Sequence, residues 1–237
     1  MNYIIVCLVI GLILLIHEAG HFIAARSVKI PVERFSVGLG PRLWGKRIGE
    51  TDFCISLIPF GGYVLPRVEN EEDFFRYSPW KRIILALGGP AANLLSVIPV
   101  LAIFNTLTQG FSISGAFFHP ILQTIGYTER ILTSLPLIFS QPQHLSGVVG
   151  IVSEGSRVVD SGLPGFLALV AFLSINLGIL NLLPIPALDG GQIVMTVLEK
   201  LWPKSTRVRL PLSLLGWLLL LSVMVYATTK DISRLLG

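Results

Sequence analysis

The chain has 237 residues, of which 14% are charged and 52% are hydrophobic, and its formal net charge is +4. A soluble domain usually has about a quarter charged residues, so this composition excludes an ordinary soluble protein and predicts one integral membrane domain over 1–237. The two cysteines, Cys7 and Cys54, lack the spacing of a disulfide framework or a cysteine-based zinc site.

Four segments are apolar enough to span a bilayer, which takes about 20 helical residues. They are 3–25, 83–104, 166–183 and 210–227. The first has no positive charge before its apolar run and no small-residue cleavage site at its end, so we expect a retained span rather than a signal peptide. The predicted fold is therefore an all-α membrane protein with about four transmembrane helices.

Lysine and arginine are distributed unevenly among the connecting segments. The segment 26–82 carries ten of them, 184–209 carries four, and 105–165 carries two. By the positive-inside rule, the first two segments face the cytoplasm, and 105–165 is an outer loop. Both termini then lie outside.

The first cytoplasmic segment has an unusual stretch over 34–64, in which two short strand-like runs are separated by a glycine-rich break. Residues 53–57 alternate as in a half-buried strand. The stretch is too apolar for a solvated loop. We therefore predict a small β-hairpin that dips toward the membrane, with protein covering its edges.

HEAGH in the first span contains His17, Glu18 and His21. Positions i and i+4 share one helix face, so both imidazoles can reach one metal ion, with Glu18 beside them to act on water. The alternative is a solvated helix face. In a membrane that alternative costs about 2.5–3.5 kcal/mol for the glutamate alone, and no other predicted span contains a lysine or arginine to pair with it.

A catalytic zinc usually has three protein ligands and one open position. Three candidates for the third ligand fall in the outer loop: His119, His144 and Asp160. Glu199 is interpreted as a charge on a helix surface. Asp189 follows the third span on the same predicted side as the histidines, which favours it as the ligand; the alternative is an ordinary Asp-Gly turn.

Three asparagines lie in or near the spans: Asn93 in the small-residue run LGGPAANLL, and Asn176 and Asn181 near the end of the third span. Glycine and alanine in this run allow close helix packing. The asparagines have two interpretations. They could form hydrogen bonds between helices, or they could bind substrate backbone that has left helical geometry.

Five motifs occur in a fixed order: HEAGH, GLGPRLW, LIPFGGYV, GGPAAN and NLGILNLLPIPALDGG. Together they cover most of the chain outside 105–145 and resemble the site-2 proteases, zinc metalloproteases that cut transmembrane helices within the membrane. The sequence is most similar to the bacterial branch related to the regulator-of-sigma-E protease. That branch cleaves anti-sigma factors and remnant signal peptides.

The resemblance implies one Zn²⁺ held by His17, His21 and Asp189, with Glu18 as the base. It implies that 34–64 is a membrane-re-entrant element whose strand edge holds an unwound substrate, and that Asn176 and Asn181 help to hold that substrate. Asn93 is a further candidate contact of the substrate, from its place in the second span. Single-pass membrane proteins or signal peptides would be the substrates, in the bacterial inner membrane, with the active site toward the cytoplasm. The bilayer is then a partner, and no nucleic acid is expected.

The segment 105–165 departs from the resemblance because it is too short for the PDZ domain that bacterial members insert between the second and third spans. Two other functions remain open at this point. An ion or zinc transporter would need acidic or histidine residues on several spans, and the other predicted spans have none. A catalytically inactive membrane scaffold would have no need of Glu18.

Overall fold

The computed structural model describes residues 2–68, 71–140, 146–202 and 206–236. The elements in chain order are α1 (Asn2–Ser27), β1 (Val32–Ile48), β2 (Thr51–Pro66), α2 (Glu71–Arg76), α3 (Pro79–Gln109), a π-helical turn (Ser114–Phe118), α4 (His119–Ser140), α5 (Val148–Val159), α6 (Leu163–Asn181), α7 (Asp189–Leu201) and α8 (Thr206–Leu236). His144 lies outside the described residues.

Within the part of the chain that the structure describes, four helices are long and apolar enough to cross a membrane: α1, α3, α6 and the Val208–Arg234 part of α8. The predicted fold class is therefore confirmed. The helices differ from the predicted spans mainly at their ends. Helix α6 stops at Asn181, because Pro184 and Pro186 follow and a proline cannot continue the hydrogen-bond ladder.

The chain divides into two compact units. Unit 1 contains Met1–Ile10, Leu94–Ile179 and Leu214–Gly237, and unit 2 contains Gly11–Asn93 and Leu180–Ser213. Each unit therefore combines segments that are far apart in sequence.

In unit 2, helix α1 packs through one stripe of its surface. Its buried residues recur every three or four positions, at Ile13, His17, Gly20 and Ala24. This spacing keeps them on one helix face. His17 therefore lies on the packed side of a helix whose other faces are apolar and exposed, as at Ile23.

The β-element of unit 2 consists of β1 and β2, which pair antiparallel. Phe35 of β1 has two partners, Val64 and Phe53, on the two halves of β2. The first part of β1 thus lies between those halves. Phe22 of α1 contacts Phe35 and Phe53 edge-on, with ring centroids 5.7 and 5.4 Å apart, so these aromatic rings dock the β-element against α1.

In unit 1, buried side chains of α3 and α6 form a core: Val97, Leu101, Ala171, Ile175 and Ile179. The segment 105–165 is more ordered than expected of a loop, because α4 and α5 lie within it. The amide of Gly150, near the start of α5, donates to the carboxylate of Asp231 on α8 at 2.7 Å. The described part of this segment is helical and contains no PDZ domain.

Candidate metal centre

Helices α1 and α3 touch backbone to backbone beside HEAGH. A Cβ atom on Gly20 would lie 2.2 Å from the carbonyl oxygen of Gly88, and one on Gly88 would lie 2.5 Å from that of Gly20. Real Cβ atoms do not approach so closely, so each position requires glycine. The close packing predicted from LGGPAANLL is confirmed, and it places α3 directly against both histidines.

Asp189 reaches the histidines through a tight turn between α6 and α7. The amide of Leu188 donates to the carbonyl of Ile185 at 2.8 Å, and α7 begins at Asp189. A Cβ atom on Gly190 or Gly191 would meet a backbone oxygen of the turn at 2.1 or 2.0 Å. The two glycines therefore allow the turn to fold onto the helix start, where a carboxylate is favoured by the helix dipole.

The two histidines and Asp189 converge on one point. The Nε2 atoms of His17 and His21 lie 3.1 Å apart, and Asp189 Oδ2 lies 3.1 Å from the first and 3.3 Å from the second. A tetrahedral zinc with bonds of 2.0–2.1 Å separates its ligand atoms by about 3.3 Å. The three side chains thus fit zinc in both donor type and spacing.

Burial disfavours the charged form of Asp189, but the hydrogen bonds with His17 and His21 hold its pKa below the usual value of an aspartate. The carboxylate is therefore ionised at neutral pH, as a metal ligand must be. Among the described residues, His17, His21 and Asp189 are the one group of three histidine, cysteine or acidic side chains whose possible metal-binding atoms lie within 4.8 Å of one another.

Helix α3 contacts the far side of both imidazole rings. His21 Nδ1 lies 2.8 Å from the carbonyl oxygen of Leu85, and His17 Nδ1 lies 3.2 Å from the side-chain nitrogen of Asn93. Leu85 was not among the predicted site residues. Leu85, Gly89 and Asn93 follow one another at intervals of four residues. This spacing indicates that they share one face of α3.

Glu18 is half-buried and lies next to β2. A Cβ atom on Gly62 would sit 2.9 Å from Glu18 Cγ and 2.7 Å from the carbonyl oxygen of Ser36. Only glycine therefore lets the strand pass this close to the glutamate. The β-element and HEAGH accordingly belong to one local structure within unit 2.

The other predicted candidates occupy different positions. The amide of Asn176 donates to the carbonyl of Phe172 in its own helix at 2.8 Å, and Asn181 is the last residue of α6. His119 and Asp160 belong to unit 1, whereas the triad of His17, His21 and Asp189 belongs to unit 2.

The interpretation of Glu199 as a surface charge is wrong, because only 8% of it is exposed. Its two oxygens accept from Arg82 at 2.6 Å and from Arg209 at 2.7 Å. Both guanidinium groups also lie over the ring of Phe75, at 5.4 and 5.0 Å. Glu199 therefore links α7 to α3 and to the start of α8.

Comparison with known proteins identifies the family. Residues 5–223 match the family model of Peptidase family M50. A Campylobacter jejuni protein, provisionally named zinc metalloprotease Cj1068, is 25% identical over 347 positions that cover 100% of this chain and 94% of that protein. A Helicobacter pylori protein with a similar provisional name is 26% identical over 351 positions, covering 99% of this chain and 100% of that protein.

A Chlamydia trachomatis relative, also provisionally named a zinc metalloprotease, is 37% identical over 148 positions, which cover 52% of this chain and 24% of that protein. The Campylobacter alignment spans 347 positions, whereas this chain has 237 residues, so a large part of it has no counterpart here. This shorter length is consistent with the described residues of 105–165, which form no PDZ domain. The chain belongs to peptidase family M50, the site-2 proteases, and with its four apolar helices it is a multi-pass membrane metalloprotease of the zinc type.

Proposed function

We propose that the protein is an intramembrane zinc endopeptidase that cleaves the transmembrane segments of single-pass membrane proteins. The observation that carries this proposal is the convergence of His17, His21 and Asp189 beside Glu18, on a helix apolar enough to span the bilayer. Placing ionisable groups within a membrane span is energetically unfavourable, so ionisable residues found there usually belong to a functional site.

In this proposal one zinc ion is held by His17 Nε2, His21 Nε2 and Asp189 Oδ2. Zinc at such a site polarises the scissile carbonyl and makes water more acidic. The carboxylate of Glu18 accepts a proton from the attacking water and then delivers it to the nitrogen of the leaving amine. The peptide bond breaks between carbonyl carbon and nitrogen, and the water oxygen becomes part of the new carboxylate.

A helical substrate must unwind before its amide can be attacked, because the helix covers it. The contact between Gly62 and Glu18 supports a substrate path along β2, where an extended peptide would pair with a strand edge. Asn176 and Asn181 stay proposed contacts of that peptide. We propose anti-sigma factors and remnant signal peptides as the substrates, in regulated proteolysis at the bacterial inner membrane.

The function is tested with protein reconstituted in liposomes and a tagged single-pass substrate that retains its signal peptide. We expect about one zinc per chain and cleavage inside the membrane segment. A zinc chelator should stop cleavage, and added zinc should restore it. Asp189→Ala should lose both zinc and cleavage. Zinc-loaded wild type that leaves a panel of such substrates intact would contradict the proposal, as would Asp189→Ala that cleaves at the wild-type rate.

Gly89→Ala is expected to exclude zinc while every proposed ligand residue is left in place. The added Cβ would lie 2.4 Å from His21 Nε2 and 2.6 Å from His17 Nε2, between the atoms that would bind the metal. Gly11→Ala is the matched control, because a Cβ there meets no atom within 4 Å. Both changes favour helix by about 1 kcal/mol. Zinc content should fall sharply only in Gly89→Ala, and full zinc in that variant would show that the rings move aside.

A further inference from the structure

One face of α3 contacts the two imidazole nitrogens that point away from Asp189. Leu85, Gly89 and Asn93 are spaced four residues apart on this face. The Leu85 carbonyl oxygen lies 2.8 Å from His21 Nδ1, and the Asn93 carboxamide lies 3.2 Å from His17 Nδ1. His21 Nδ1 also lies 3.3 Å from the amide nitrogen of Gly89, so α3 contacts each histidine at Nδ1.

The partner of a ring nitrogen determines which tautomer the ring adopts. The Leu85 carbonyl oxygen can only accept, and it lies closer to His21 Nδ1 than the Gly89 amide does, so His21 Nδ1 carries a proton and donates it to Leu85. The other nitrogen, Nε2, can then give up its proton and offer a lone pair to a metal bound beside Asp189. His21 is thus held in the tautomer that a metal requires.

His17 needs the same tautomer, and Asn93 is the residue that can fix it. In the orientation described above, the Asn93 amide nitrogen faces His17 Nδ1 and would leave the proton on Nε2. A half-turn of the carboxamide exchanges its oxygen and nitrogen, which are nearly indistinguishable in shape. The oxygen then accepts from Nδ1–H, and Nε2 is free to bind metal.

We infer that Asn93 is a positioning residue for the zinc site, which fixes the orientation and tautomer of His17, rather than a residue that contacts substrate. Its exposure is 0%, which leaves no surface for a substrate peptide. This inference deepens the proposed function and rests on its zinc ligand set.

The test measures zinc affinity by competition with a chelator. Asn93→Leu keeps the size of the side chain but has no acceptor, and we expect 10- to 100-fold weaker binding. Asn93→Asp keeps an acceptor, so its affinity should stay within about threefold of wild type. Asn105→Leu is the matched control: Asn105 lies on the same helix, is 1% exposed and donates to the Gly115 carbonyl. It should bind zinc like wild type.

Asp189→Ala separates this inference from the proposed function. If Asp189→Ala loses zinc while Asn93→Leu binds it as tightly as wild type, the positioning role alone is overturned. If Asn93→Asp is as weak as Asn93→Leu, the acceptor role is overturned, because a carboxylate would have restored it. If Asp189→Ala keeps its zinc, the ligand set fails, and this inference fails with it.

Discussion

Replacing Glu18 with glutamine is expected to slow cleavage of the tagged signal-peptide substrate by about 100- to 10,000-fold while zinc content stays at the wild-type level. Glutamine has the shape of glutamate but cannot accept a proton from water. The proposed ligands His17, His21 and Asp189 are unchanged. The measurement is the initial rate of cleavage in liposomes, with zinc per chain determined on the same sample.

Glu33→Gln is the control for this prediction. It makes the same chemical change at an exposed residue of β1, so both rate and zinc content should match wild type. Cleavage by Glu18→Gln at the wild-type rate would exclude Glu18 as the base. A simultaneous loss of zinc would mean that Glu18 is needed for metal binding instead.

Glu199→Gln is expected to destabilise the protein by about 3–5 kcal/mol, because it leaves the buried guanidinium of Arg82 and the partly buried one of Arg209 without their counter-charge. Arg82 is 6% exposed, so water cannot replace the lost carboxylate there. Arg209 retains a 3.3 Å contact with Gln192, which is neutral. The change should appear as a large drop in the unfolding midpoint in detergent.

Glu154→Gln provides the comparison, since it breaks an ion pair with Arg157 in which 66% of the glutamate side chain is exposed. Exposed pairs contribute at most about 1 kcal/mol, so this variant should unfold almost like wild type. If Glu199→Gln has the same unfolding midpoint as Glu154→Gln, then other groups balance the positive charges of Arg82 and Arg209.

The triad could be predicted from the sequence because a short-range sequence pattern marks each of its residues. His17 and His21 are four residues apart on a helix that hydropathy identifies, and Asp189 follows a proline-rich helix end. The four apolar helices were accessible for the same reason: their signal is composition over about 20 residues.

The environments of Glu199 and Asn93 were not accessible in this way. Glu199 lies 117 positions from Arg82, and no local pattern indicates that these two side chains meet. Asn93 was recognised as a polar residue within a span. Whether it faces substrate or His17 depends on the rotation of α3 against α1, which is fixed by the contact between Gly20 and Gly88.

The division of the site between two distant parts of the chain has a consequence for biosynthesis. His17, His21, Glu18 and Asn93 all precede residue 94, whereas Asp189 is made 96 residues after Asn93. At 5–20 residues per second, the ribosome needs roughly 5–20 s to cover that distance. During this interval the nascent chain has the proposed base, Glu18, but not the full proposed set of metal ligands. With the proposed ligand set, proteolytic activity can arise only once the third apolar helix and the turn after it have been made.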